Sequence, residues 1–163
     1  MFDYFISPTY GRISFSQVVD NLVNFVLEDP RQIYRLIVGT DSEGKEDPNF
    51  MTAIIIHKKG KGGRFFYKKI KTGKKYTLRT RIYEETMTSL MLAMKLRETL
   101  EKNLRKIQPR NYKSLEIHTD IGQVGETREM IKEIVGLVKG NGFEVKIKPE
   151  AFGATSIADR CLK

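Results

Sequence analysis

The chain has 163 residues, 29 Lys and Arg against 20 Asp and Glu, a net charge of +9 and one cysteine. That length fits a single domain with a sizeable core, residues 1–163, with residues 1–30 read as an N-terminal helical extension. Cys161 alone excludes a disulfide framework and a thiolate zinc site, no apolar run approaches a membrane span, and Met1-Phe2-Asp3-Tyr4 lacks the pattern of a signal peptide, so the expected setting is cytoplasmic.

The positive charge is concentrated. Lys58, Lys59, Lys61, Arg64, Lys68, Lys69, Lys71, Lys74, Lys75, Arg79 and Arg81 follow one another with no acid between them, and the rest of the chain is slightly acidic. Such a stripe points to a polyanion, nucleic acid before an anionic membrane surface; the plainer alternative is a solvated hairpin whose lysines guard its edges. Phe65, Phe66, Tyr67 and Tyr76 interleave with it, offering either stacking surfaces for bases or one face of a core.

In chain order, Phe15, Val18, Val19, Leu22, Phe25 and Val26 recur at helical spacing behind Ser14-x-x-Gln17, a capping box, and predict a helix over about 14–28. Its apolar face needs the sheet or a second subunit. Ile33 to Asp41 reads as a central strand, too apolar for a one-sided position. Phe50 to His57 and Arg64 to Lys71 follow as antiparallel neighbours across short turns. A long helix from about Leu78 carries Ile82, Ser89, Ala93, Leu96 and Leu100 on one face. Leu115 to Asp120 is a fourth strand, Glu126 to Lys139 a helix with Ile131, Ile134, Val135 and Val138 inward, and Phe143 to Ile147 a fifth strand. A short last helix starts at Thr155 or Ser156. Strands joined through helices return parallel to the same sheet. The expectation is an α/β fold with a five-stranded mixed sheet in the order 3-2-1-4-5, strand 2 antiparallel, flanked by helices.

Acids stand where two strands end. Asp41 and Asp120 would lie side by side at the carboxyl ends of adjacent parallel strands, the usual ligand position in an open α/β sheet. Carboxylates that close repel, and hard divalent cations such as Mg²⁺ or Mn²⁺ relieve the repulsion. Glu84 and Glu85 compete for a place beside them. Positions four, seven, eight and eleven after Glu85 are Ser89, Leu92, Ala93 and Leu96, small or apolar, so Glu85 shares the buried face and Glu84 is its solvated neighbour. Asp159, in the first turn of its helix, is a helix-start acid if taken alone. His118 shares a strand face with Asp120, as a partner of the site or a core histidine, and His57 belongs with the basic surface.

The element order, with Thr40-Asp41-Ser42 on the first strand and acids on the long helix, fourth strand and last helix, resembles the ribonuclease H-like fold. Ile117-His118-Thr119-Asp120-Ile121-Gly122, EVKIKP at Glu144 to Pro149 and TSIADR at Thr155 to Arg160 resemble the YkuK-like family within it. The resemblance implies a divalent-metal-dependent nuclease, with Asp41, Glu85, Asp120 and Asp159 as both catalytic residues and ligands of two Mg²⁺ or Mn²⁺ ions, and nucleic acid as partner. The mobile histidine of some ribonucleases H has no clear counterpart.

Two other motifs fail on chemistry. Gly39 to Lys45 fits G-x-x-x-x-G-K, but Glu46 replaces the Ser or Thr that holds magnesium, and acids inside the loop would repel phosphate. Asp41-Ser42-Glu43 resembles the Asp-x-Glu of proofreading exonucleases, yet Thr155 and Ala154 stand where those enzymes place Tyr or His. The alternatives left are a non-catalytic nucleic-acid-binding module of the same fold and, more weakly, a protein-interaction role for the N-terminal helix.

Overall fold

Tyr34–Ser42, strand β3, is the middle of the sheet, as its unbroken apolar run requires: Leu36, Ile37 and Val38 are fully enclosed by neighbours on both sides. The computed structural model describes residues 1–104 and 115–152, so the last predicted helix, with Asp159, lies outside the described residues. The remaining elements are β1 (Tyr4–Ser7), β2 (Gly11–Ser14), α1 (Phe15–Glu28), β4 (Asn49–Lys58), β5 (Gly63–Lys71), α2 (Leu78–Leu104), β6 (Glu116–His118), α3 (Ile131–Gly140) and β7 (Glu144–Lys146), with a 3₁₀ turn, Arg128–Met130, leading into α3.

The described strands form one sheet in the order β2-β1-β5-β4-β3-β6-β7. Antiparallel β3–β4 and β4–β5 pairs make the meander, and β3–β6 and β6–β7 are parallel. From β3 to β7 this is the predicted order and direction. The sheet nevertheless has seven strands rather than five, and the N-terminal extension is a hairpin followed by a helix rather than a helix alone. The strands β1 and β2 have four residues each, too few alternations to register in sequence, and β1 pairs antiparallel with β5 at Ile6 opposite Tyr67. Gly11, at φ 71°, takes the left-handed backbone that the hairpin turn needs.

Helix α1 starts at a complete capping box: Gln17 N–H donates to Ser14 Oγ at 3.1 Å and Ser14 N–H to Gln17 Oε1 at 2.8 Å. Its apolar face joins the main core with Phe5 of the hairpin, Leu36, Val38 and Ile54 of the sheet and Leu92 and Leu96 of α2, so the sheet covers it. Helix α3 closes a second cluster in which Ile134 and Met130 meet Ile82 and Ile121. Removing the Ser14 hydroxyl leaves an N–H of the first turn without its acceptor, so Ser14→Ala should cost about 1 kcal/mol, read as a lower midpoint in urea with an unchanged slope.

Candidate active site

Two polar rungs aim helix α2 at the end of β3. Ser89 Oγ donates to Thr40 Oγ1 at 2.8 Å inside the core, and Thr40 Oγ1 donates to Thr52 Oγ1 at 3.0 Å on β4. One turn earlier on the helix and two residues later on the strand, Ser42 Oγ donates to Glu85 Oε1. The spacing is set by geometry: four helical residues and two strand residues each advance about 6 to 7 Å. Glu85 is therefore held against Ser42, 7% exposed, while Glu84 faces solvent. Burial, opposed by the Ser42 hydrogen bond and reinforced by Asp41 and Asp120, pushes the Glu85 carboxyl up to about 8.

Asp41 follows Thr40 on β3 and accepts the Ser42 N–H at 2.9 Å; Asp120 stands two residues past β6. Parallel pairing of Val38 with Ile117 and Gly39 with His118 brings the ends of these strands together. Asp41, Glu85 and Asp120 line one open pocket of about 430 Å³, whose rim also carries Arg81 and Lys148. Lys148 Nζ donates to Asp120 Oδ1 at 2.8 Å, and that bond, then Asp120 and Asp41 through space, outweighs burial to raise the ammonium's pKa.

The donor types suit a hard divalent cation: three carboxylates, one of them desolvated beside two others. Their spacing does not yet suit it, since among the described residues no group of three His, Cys, Asp or Glu could hold a metal ion. Asp120 is turned to Lys148 and Glu85 to Ser42. Asp159 lies outside the described residues.

His118 is a buried, bonded histidine. Its Nδ1 accepts the Phe152 N–H at 3.1 Å, which leaves Nε2 to donate to Glu116 Oε1 at 3.3 Å. Arg35 holds the same carboxylate with Nε at 2.8 Å and Nη2 at 2.6 Å. Although burial opposes it, this fork and the His118 bond bring Glu116 down to about 2. The arrangement ties β3, β6 and the segment after β7 together.

The basic residues fall into separate groups. Lys58, Lys59, Lys61 and Arg64 lie at the turn between β4 and β5, with Lys58 and Arg64 over the Phe25 ring at 5.0 and 5.1 Å. The acids lie towards the other end of β4, where Asp41 is opposite Met51, about 24 Å from Lys58 along the strand. Lys69 lies across from Met51, itself across from Asp41, and Lys71 is one step further towards that end; both are exposed. Lys74 is exposed beyond β5, Lys75 meets Glu46 at 3.7 Å, Arg79 meets Glu133 at 3.1 Å, and Arg81 Nη1 donates to Glu43 O at 3.4 Å. Lys68, of opposite parity, is buried under β1, bonded to Asp3 Oδ1 at 2.8 Å with its ammonium over the Tyr4 ring. Phe66 belongs to the main core, Phe65 and Tyr67 stack 6.3 Å apart on the other sheet face, and Tyr76 packs on Phe50.

A family model described as Ribonuclease H-like matches residues 17–163. The chain belongs to the ribonuclease H-like family. It is also 32% identical over 169 residues to "Uncharacterized protein YkuK" of Bacillus subtilis (strain 168), a match covering 98% of this chain and 96% of that protein. No solved structure matches. In this ribonuclease H-like chain, sequence reasoning did not single out Lys148 at the pocket. Its position inside EVKIKP, just past a strand that runs parallel to β6, was the available signal.

The raised Glu85 carboxyl makes a pH prediction. The folded state holds a proton that the unfolded chain releases above 4.5, so stability falls as pH rises towards about 8. The slope reaches at most about 1.4 kcal/mol per pH unit. In metal-free buffer, Glu85→Gln should flatten the decline in melting temperature between about pH 5 and about pH 8; an identical decline in the variant would show that Glu85 is ionised throughout.

Proposed function

We propose that this protein is a divalent-metal-dependent nuclease hydrolysing phosphodiester bonds of nucleic acid, with Mg²⁺ or Mn²⁺ held by Asp41, Glu85 and Asp120 and completed by Asp159. The observation that carries this reading is the convergence of Asp41, Glu85 and Asp120 on one open pocket at the ends of two parallel strands. Metal ions there would supply Lewis-acid activation of the phosphoryl group and of the attacking water. The residues' own part is to hold the negative charge in place. The two rungs fix Glu85, the parallel pairing fixes Asp41 and Asp120, and the pocket stays open to a backbone phosphate. Lys69, Lys71 and Lys74, which are exposed at the acid end, would carry the strand's neighbouring phosphates.

The alternative, a binding module of the same fold without catalysis, is favoured by one observation: two of the acids are already engaged within the protein, Asp120 by Lys148 and Glu85 by Ser42. Cleavage of labelled RNA, DNA and hybrid substrates in Mn²⁺ decides between them. Under the nuclease reading Asp41→Asn and Asp120→Asn lose activity by about three orders of magnitude, Glu85→Gln loses most of it, and Glu84→Gln is nearly silent. Wild-type protein that binds these substrates but cleaves none of them in Mg²⁺ or Mn²⁺ establishes the binding module instead.

The split of the basic stripe gives a separate expectation. Neutralising Lys69 and Lys71 together should weaken binding to every sequence alike and reduce the slope of log K against log salt by about 1.5 to 2. Lys68→Gln should leave that slope unchanged while lowering stability, because its ammonium is committed to Asp3. An unchanged slope in the double variant would assign these lysines to solubility alone.

A further inference from the structure

We propose that Lys148 is a phosphate-contacting residue of the active site, parked on Asp120 until a divalent cation draws that carboxylate away. The inference rests on the nuclease reading above. Three observations place Lys148 for this role. Its backbone is fixed beside the site, since Lys148 N–H donates to Ile121 O at 2.8 Å, one residue after Asp120. Its stem lies directly over Gly122, where a Cβ would come within 3.1 Å of the Lys148 Cβ, so the glycine leaves the room that the side chain uses. Its ammonium, on a side chain 56% exposed, meets Asp120 at 2.8 Å on the wall of the pocket that Asp41 and Glu85 also line.

A fixed root with an exposed tip is a side chain that can change partner by rotating about its own χ angles. The bond it would give up is weak enough for exchange: an ion pair this open to water is worth about 1 kcal/mol or less. A carboxylate among other carboxylates gains more from a divalent cation. Once Asp120 turns to the cation, the ammonium is left at the rim, next to where a phosphodiester must sit to meet the acids. There it would donate to a non-bridging oxygen, a charge-assisted hydrogen bond that strengthens as negative charge builds on the phosphoryl group. Arg81, the other cation of the pocket, is directed to Glu43 O and does not touch Asp120.

The test uses the full chain as wild type, Lys148→Gln and Lys148→Arg, each first shown to be folded by circular dichroism. Calorimetric titration with Mn²⁺ should show Lys148→Gln binding the ion about 5-fold more tightly than wild type, because Asp120 no longer has a competing partner. Binding of fluorescein-labelled RNA, DNA and hybrid, followed by anisotropy in Ca²⁺, should be about 10-fold weaker in Lys148→Gln. Lys148→Arg should restore both towards wild type. If wild type takes up Mn²⁺ and Lys148→Gln takes it up no more tightly, or if oligonucleotide affinity is unchanged, Lys148 is a structural partner of Asp120 and the proposal falls alone. If wild type takes up no Mn²⁺ at millimolar concentration, the nuclease reading itself falls.

Discussion

The candidate site depends on how helix α2 is turned over strand β3. A helix packed by apolar contacts alone can rotate by a fraction of a turn at little cost, because leucines accept several neighbours. The hydroxyl chain from Ser89 through Thr40 to Thr52 removes that freedom, since buried hydroxyls lose their partners if the helix rotates. With Ser89 pegged, the residue one turn earlier must meet Ser42, and that residue is Glu85. Polar pegging in the core thus decides which acid of the Glu84-Glu85 pair reaches the pocket.

The second determinant is the balance of charge at the pocket. Desolvation, reinforced by two neighbouring acids, pushes the Glu85 carboxyl up to about 8, and Lys148 compensates Asp120. One acid of the cluster is thus desolvated and another is paired with an ammonium. Both the Ser42-bonded Glu85 and the Lys148–Asp120 pair border the open pocket, whereas the Arg35–Glu116–His118 arrangement is a doubly held carboxylate beside a buried imidazole. One cluster sits on β6 and the other beyond its end, and they differ in role: the first is closed and ties elements together, the second is open to solvent.

Much of this was legible in the sequence, and the reasons are local. The β-branched run into Asp41, the Ser14-x-x-Gln17 box and the Ile82 to Leu100 stripe each carry their meaning within a few residues, so periodicity and capping chemistry found them. Glu85 was separable from Glu84 because the helix repeat alone assigns faces. What escaped was non-local. Lys68 reads like its neighbours until Asp3, at the far end of the chain, takes its ammonium. Lys148 gains its meaning only when the backbone bond to Ile121 puts it beside Asp120. The stripe read as one surface, but a strand's length divides it, because β4 carries its two ends to opposite rims of the sheet.

The N-terminal hairpin has a consequence for how this protein associates with itself. Without β1 and β2, β5 would be the edge of the sheet, offering unpaired N–H and C=O groups beside the apolar Phe65 and Tyr67. The family match begins at residue 17, inside α1 and beyond the hairpin. A chain trimmed to that boundary would keep every acid of the pocket and lose the cover of the edge, the Ser14 cap and the partner of Lys68. Such a fragment would offer β5 to strand-to-strand pairing between copies, so its precipitation would report the open edge rather than a defect at the pocket.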